Sequence, residues 1–142
     1  MTRMLQTRPV AVALTIAIVG LTLTTSLIHL RLGGLLFTLN GLGYGALAAA
    51  FVVGAAAPHP FIARFSWLPR VGLAGYTATT IVGYLVIGPY FALGFITKGV
   101  EVAILTLLAL DVVRVHGGAR GLIRAAFASI ASLVPASGQA GE

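Results

Sequence analysis

The sequence predicts an all-α, polytopic membrane protein: a bundle of four transmembrane helices followed by a short C-terminal amphipathic helix. Hydrophobic residues make up 58% of the 142-residue chain and charged residues only 8%, with a mean hydropathy of +1.03. A soluble domain carries about 25% charged residues to keep its surface in water. The apolar residues also form four long runs, and a run of about 20 apolar residues crosses a bilayer. Lipid must therefore cover most of this surface.

The four expected spans cover residues 9–30, 35–57, 71–93 and 97–115. A Gly-Gly pair separates the first two. Pro58 follows the second span and ends it, because proline cannot continue the backbone hydrogen-bond ladder. Residues 1–118 are expected to form one four-helix domain. Residues 119–142 are expected to form a cytoplasmic amphipathic segment with a disordered tail.

The connection between the third and fourth spans has two possible positions. Residues 88–90, Gly-Pro-Tyr, could form the whole turn, which would place Lys98 and Glu101 inside the membrane. The break could instead lie at residues 94–99, which begin and end with glycine. We favour the second position, which places Lys98 and Glu101 at the outer edge of the membrane.

The basic residues predict the orientation of the bundle. One side carries seven of them, namely Arg3, Arg8, Arg64, Arg70, Arg114, Arg120 and Arg124. Only Arg31 and Lys98 fall on the other side. Cytoplasmic loops carry the excess of Lys and Arg. The sequence therefore predicts a multi-pass protein of the cytoplasmic membrane with both termini in the cytoplasm.

The C-terminal segment, residues 121–134, has an amphipathic pattern. One helical face carries Ile123, Phe127, Ile130 and Val134, with Arg120 and Arg124 at its flank. This pattern is typical of a short helix that lies on the membrane surface. The alternative is a frayed extension of the fourth helix. Pro135 ends the segment, and the last seven residues are expected to be disordered.

Small residues at helical spacing predict where the helices pack. Gly41 and Gly45 lie in the second span, and Gly75 and Gly83 lie in the third with Thr79 between them. Helices in lipid associate where small residues let their backbones approach closely. We expect these stripes to pack within the bundle, with dimerisation of the chain as the alternative.

Six polar residues are the candidates for a functional site, because strongly polar groups within spans are costly. They could converge in the outer half of the bundle, and they are His29, Arg31, Asn40, Tyr44, Tyr84 and Glu101. A Glu101 carboxylate held near His29 or Arg31 could bind a cation or relay protons. In the structural alternative Lys98 and Glu101 pair locally, and the tyrosines anchor in headgroups.

Asp111 is expected to have a structural role. It lies about 15 Å along the helix axis from Glu101, so the two cannot occupy opposite interfaces of a 30 Å core. Arg114 follows one turn later. We therefore expect an Asp111–Arg114 ion pair at the cytoplasmic end of the bundle.

The sequence argues against enzymatic, metal and cofactor chemistry. The chain has no cysteine, which excludes disulfides, thiolate metal sites and iron–sulfur clusters. His29 lies on the opposite side from His59 and His116, so it has no histidine partner at matching depth for haem. His59 and His116 could meet near the inner surface, but two histidines without a nearby acid make a weak metal site. No phosphate loop, metalloprotease motif or serine elbow occurs. We expect no enzymatic activity, no metal and no cofactor.

Several segments resemble a group of small four-helix bacterial membrane proteins, often seen in actinobacteria. The resemblance rests on residues 28–30 (Ile-His-Leu), 34–40 (Gly-Leu-Leu-Phe-Thr-Leu-Asn), 83–85 (Gly-Tyr-Leu) and 91–95 (Phe-Ala-Leu-Gly-Phe), and on Glu101. These segments lie within about half of the chain. The resemblance implies the four-helix topology, and it implies no activity.

Two functions are compatible with these observations. The first is a non-catalytic accessory or interaction subunit, whose partners are the lipid bilayer and another membrane protein or a second copy of the chain. The alternative is an oligomeric carrier or channel for a small solute, ion or proton that uses the outer polar cluster. The net charge of +6 reflects topology, so no nucleic-acid partner is expected.

Overall fold

The computed structural model describes residues 6–133, and within that range it consists of six α-helices without a strand. The helices are α1 (Arg8–Leu32), α2 (Leu35–Ala56), α3 (Pro60–Arg64), α4 (Trp67–Ile87), α5 (Ala92–His116) and α6 (Ala119–Ala131). Arg3, Val134 and the expected disordered tail lie outside the described residues.

Four of the helices, α1, α2, α4 and α5, are long and apolar enough to cross a membrane. They contain 25, 22, 21 and 25 residues, and about 20 residues suffice. The all-helical fold with four helices of membrane length is therefore confirmed. The first two helices begin and end within two residues of the expected bounds.

The expected break between the third and fourth spans is wrong. Helix α4 ends at Ile87 and α5 begins at Ala92, so the connection is residues 88–91. Pro89 explains the position, because a proline pushes the residue before it into an extended conformation, and Gly88 has φ −73° and ψ 146°. The glycines at residues 94 and 99 continue within α5. Glu101 therefore lies nine residues into α5, about 14 Å along its axis.

The connection between α2 and α4 is also more helical than expected. Residues 58–70, which lie between the second and third expected spans, contain the short helix α3, and α4 begins at Trp67 instead of residue 71. Proline occupies the first position of α3, where its missing N–H breaks no helical bond. The His59 Nδ1 atom accepts a hydrogen bond from the Phe61 N–H at 3.2 Å and caps this helix.

The four long helices form a closed ring in which each packs against two neighbours. Going around the ring, α1 packs on α2, α2 on α4, α4 on α5, and α5 on α1. Two tight connections, Gly33–Gly34 and residues 88–91, lie at one end, which we call the hairpin end. Both glycines of the first connection have φ between 73° and 79°, which glycine adopts without steric cost. The other end carries α3, α6 and most of the arginines, and we call it the basic end.

The core lies at the centre of the ring and contains side chains from all four long helices. Its fully buried apolar members are Ile18, Tyr44, Phe51, Leu73, Ile104 and Leu108. Lipid is as apolar as these side chains, so their contribution to helix association is close packing and dispersion. The polar groups described below must supply the specificity that hydrophobic burial does not.

The predicted glycine stripes differ in where they face. Gly41 packs tightly on α1, because a Cβ atom there would lie 2.8 Å from the Ser26 carbonyl oxygen and 2.7 Å from the Leu30 side chain. Gly45 faces the same helix with ordinary contacts. The expectation of packing within the bundle is wrong for Gly75 and Gly83, since a Cβ at either position would meet nothing within 4 Å. Helix α4 contacts the core through Leu73 and Tyr76 and leaves this stripe open.

Helix α6 is a separate helix, because Gly117 ends α5 in the left-handed conformation with φ 72° and ψ 17°. Two hydrogen bonds attach α6 to the start of α4 and to α3: Trp67 Nε1 donates to Ser129 Oγ at 2.8 Å, and Arg64 donates to Ser132 Oγ at 3.0 Å. Its apolar residues Ile123, Phe127 and Ile130 are exposed. This helix therefore presents an apolar face away from the bundle.

Candidate functional site

The buried carboxylate of Glu101 is the centre of a polar cluster inside the ring. Its side chain is fully buried, and its Oε2 atom accepts hydrogen bonds from Lys98 Nζ and, at 3.2 Å, from Thr80 Oγ1. Tyr44 forms a 2.7 Å hydrogen bond with Thr80, which links α2 through α4 to the carboxylate on α5. Within the described chain, Oε1 has no hydrogen-bond partner. A buried charge with one oxygen unsatisfied is rare in folded proteins.

Lys98 compensates the charge of Glu101. Its ammonium group pairs with the carboxylate one helical turn away and donates to the Thr80 carbonyl oxygen at 3.4 Å. It also lies 5.4 Å from the centroid of the Tyr84 ring, where a cation is attracted to the aromatic face. An ammonium group has three N–H donors. Two of them are used by the described residues, and the third remains available.

His29 lies on α1, the helix that packs beside α5, and is 4% exposed. Its Nδ1 atom lies 2.8 Å from the Thr25 carbonyl oxygen. A carbonyl oxygen only accepts, so Nδ1 carries the proton and Nε2 of the neutral ring is a bare acceptor. The imidazole ring of His29 packs against the phenol ring of Tyr44 in a tilted arrangement, with the two ring centroids 5.7 Å apart. No described side chain donates to Nε2.

A cavity of about 390 Å³ lies among the four long helices near the hairpin end. Pockets that hold small molecules are mostly apolar with a few convergent polar groups. This one follows that pattern, since leucine, isoleucine and aromatic side chains form most of its wall. Its polar lining comes mainly from His29, Asn40, Thr80, Thr97 and Lys98.

The structure brings together five of the six residues predicted for the cluster. Glu101 and Tyr44 belong to the hydrogen-bonded chain, and His29, Asn40 and Tyr84 line the cavity. The sixth, Arg31, is exposed on α1 and neither lines the cavity nor pairs with Glu101. Its position two residues after His29 turns it by about 200° around the helix, away from the ring.

The sequence reasoning gave no role to Thr80, although it is the residue that connects two helices to the carboxylate. Its position on one face with Tyr76 and Tyr84 was visible in the sequence. In the structure Tyr76 donates to the Asn40 carbonyl oxygen at 3.2 Å, so the same face also anchors α4 to α2. Spacing could show the shared face, and it could not show which partner each hydroxyl meets.

A second buried charge lies at the basic end. Asp111 is fully buried, and Arg114 donates to its Oδ1 atom at 2.6 Å and 3.0 Å. The sequence reasoning missed the second partner, Arg70, whose Nε donates to Oδ2 at 2.7 Å. Arg70 also donates to the Ser66 carbonyl oxygen and lies over the Phe51 ring. Both oxygens of this carboxylate are therefore satisfied, which suits a structural role.

The two carboxylates thus differ in what they can do. Asp111 holds two arginines in fixed geometry and has no free oxygen. Glu101 has a free oxygen and a lysine partner on the cavity wall, so its site can respond to an added ligand. Across residues 6–133, no group of three or more His, Cys, Asp or Glu side chains is placed to hold a metal ion.

Comparison of the chain with protein-family models, with curated proteins and with solved structures finds no match.

Proposed function

We propose that this protein is a non-catalytic integral membrane protein that binds a small amphipathic solute in the cavity at the hairpin end. The bundle lies in the cytoplasmic membrane with both termini in the cytoplasm, so that the cavity faces the outside. The supporting observation is the cavity of about 390 Å³ with one charged group, Lys98, on a largely apolar wall. Of the two functions compatible with the sequence, this favours the second, in the form of a carrier for a small solute.

The orientation is supported by the positions of the described basic residues. Arg8, Arg64, Arg70, Arg114, Arg120 and Arg124 all belong to segments at the basic end. Arg31 and Lys98 belong to the hairpin end. An excess of Lys and Arg marks the cytoplasmic side. The apolar face of α6, flanked by Arg120 and Arg124, then lies at the level of the anionic headgroups.

A ligand that binds only the folded state raises its stability, by about 2.7 kcal/mol at a concentration 100 times the Kd. The test uses the protein in nanodiscs and three eight-carbon probes: octanoate, 1-octanol and octylammonium. We expect at least one of them to raise the midpoint of thermal unfolding in a saturable manner. The proposed function is contradicted if none does.

Filling the cavity should abolish that stabilisation. Gly83 lines the cavity, and a Cβ atom there meets nothing within 4 Å, so we expect Gly83→Leu to fold and to occupy the space. Gly75 on the same helix is equally open and does not line the cavity, so Gly75→Leu is the matched control. We expect the probe-induced rise to disappear in the first variant and to persist in the second. Persistence of the rise in both variants would show that the probes act elsewhere, and loss in both would show that the effect does not depend on filling the cavity.

An accessory role is the second candidate, and the open face of α4 favours it. Gly75, Thr79 and Gly83 form an open stripe along α4, and an apolar groove on this helix is lined by Ala78, Val82, Val86 and Ile87. Thr79 and Gly83 lie at the border between this groove and the cavity. Stripes of small residues let helices in lipid approach closely. This face could therefore receive a helix of another subunit or of a second copy.

Crosslinking in the membrane distinguishes these possibilities, because the chain has no cysteine of its own. We expect Thr79→Cys to crosslink at the α4 face if the accessory role is correct, giving a heteromer with a subunit or a homodimer. Ile16→Cys, exposed on α1, is the control for random collision. Equal crosslinking at both positions, or none at either, would contradict a partner at α4.

A further inference from the structure

The cavity wall carries one kind of charge. Among the described charged residues, Lys98 is the one that lines the cavity, and its carboxylate partner Glu101 is fully buried behind it. A cationic ligand would therefore meet a like charge. An anionic head would meet the third N–H of Lys98, which no described residue accepts, and charge-assisted hydrogen bonds are the strong ones.

The rest of the wall fits a short apolar chain attached to that head. Leu36, Phe37, Leu39, Ile87 and Phe91 contribute apolar surface from α2, α4 and the connection before α5. Asn40 also lines the cavity, and no described residue bonds to its side-chain amide, so it can donate to a carboxylate oxygen. The recognised molecule is thus an amphipathic monocarboxylate.

Charge neutrality requires a further step. Lys98 and Glu101 together are neutral, so an added carboxylate leaves one net negative charge in a cavity of low polarity, which is costly. His29 is placed to remove that charge. Its Nδ1–H donates to the Thr25 carbonyl oxygen, and no residue of the described chain donates to its Nε2 lone pair. An anion nearby favours the protonated imidazole.

The groups that face His29 are compatible with this step. Helices α2 and α5 pack against α1. From α2 the titratable neighbour is Tyr44, and from α5 the charged neighbours are Lys98 and Glu101. Helix α4 adds only the phenols Tyr76 and Tyr84 to the cavity wall. The lysine and the glutamate act on His29 in opposite directions, and the added carboxylate is a further negative group that favours the protonated ring.

We propose that the cavity binds a small amphipathic monocarboxylate at Lys98 together with one proton on His29 Nε2. The proton comes from hydronium or the acid form of the buffer: its bond to that donor breaks, one N–H bond forms on His29, and the donor's conjugate base stays in solution. No bond of the ligand breaks. Binding of the carboxylate together with the proton then adds no net charge to the cavity, just as binding of the uncharged carboxylic acid would. This inference rests on the proposed solute site and specifies its ligand.

Equilibrium dialysis of protein-loaded against empty nanodiscs tests the choice of ligand. We expect octanoate to bind at least about tenfold more tightly than 1-octanol, because its carboxylate forms a charge-assisted hydrogen bond with Lys98. Octylammonium should bind more weakly than either. The charge-neutral double variant Lys98→Met with Glu101→Gln should lose the octanoate preference and retain octanol. Arg31→Gln removes a cation at the same end outside the cavity, and it should leave octanoate affinity unchanged.

Calorimetry in buffers of different ionisation enthalpy tests the proton. At neutral pH we expect about one proton to be taken up per octanoate, and none in His29→Gln. Octanoate binding without proton uptake, or equal affinity for octanol and octanoate, would overturn the inference while leaving the solute site intact. Binding of none of the three probes would overturn the solute site as well. The comparison of probes on the unsubstituted protein decides the ligand class even if a variant fails to fold.

Discussion

We expect Asp111→Leu to lower the free energy of unfolding by about 3 to 5 kcal/mol, because it leaves the guanidinium of Arg70 buried without its carboxylate. The Arg70 side chain is 2% exposed, so water cannot replace the lost partner. Arg114, at 17% exposure, can turn outward. The measurement is equilibrium unfolding in mixed micelles at increasing SDS fraction.

Two further variants separate the contribution of the buried Arg70–Asp111 pair from that of the Arg114–Asp111 pair. Arg114→Gln removes the more exposed partner and leaves the Arg70–Asp111 pair intact, so the expected loss is smaller, about 1 to 3 kcal/mol for a buried oxygen that loses its donors. Combining Arg70→Met with Asp111→Leu removes both buried charges and should recover most of the stability, as in other buried pairs replaced by apolar residues. If Asp111→Leu costs no more than Arg114→Gln, Arg70 does not depend on Asp111.

Lys98→Met should destabilise the bundle by a similar amount, about 3 to 5 kcal/mol, because it leaves the buried Glu101 carboxylate without its counter-ion. Thr80 would remain as its one donor, with its single hydroxyl hydrogen shared with the Thr77 carbonyl oxygen at 2.9 Å, and Oε1 already lacks a partner within the described chain. The same mixed-micelle unfolding measures the loss.

The neutral double variant Lys98→Met with Glu101→Gln should recover most of that stability, since no charge remains buried. Arg31→Gln is the control at the same end of the bundle. Arg31 is exposed and takes part in none of the ion pairs among residues 6–133, so we expect no measurable loss. A destabilisation that persists undiminished in the double variant would show that packing of the lysine stem, and not charge, is what Lys98 contributes.

The number of long helices and most of their bounds could be predicted from the sequence, because an apolar run of sufficient length has few other structures available to it. The break before α5 was predicted at the wrong residues. Both candidate positions contain glycine, and Pro89 decided between them because it removes a backbone donor and restricts its neighbour. In a membrane helix, proline is therefore a stronger signal of a helix end than glycine.

The site was predictable as a set of residues and not as a network. Membrane spans contain few polar side chains, so the polar ones could be selected by composition, and five of the six selected do meet. The pairing of Asp111 with Arg70 joins residues 41 positions apart, and the bond between Tyr44 and Thr80 joins residues 36 apart. Helical spacing within one helix carries no information on the rotation of its neighbour, which is why Arg70 was missed and Gly75 was assigned to the wrong face.

Labelling of single cysteines with a membrane-impermeant maleimide tests most directly whether the hairpin end and its cavity face the outside. Tyr90 lies in the connection at the hairpin end and Phe61 lies in α3 at the basic end, and both are exposed. We expect Tyr90→Cys to be labelled in intact cells and Phe61→Cys only after permeabilisation. Labelling of Phe61→Cys in intact cells, with Tyr90→Cys protected, would contradict the orientation and place the cavity on the cytoplasmic side.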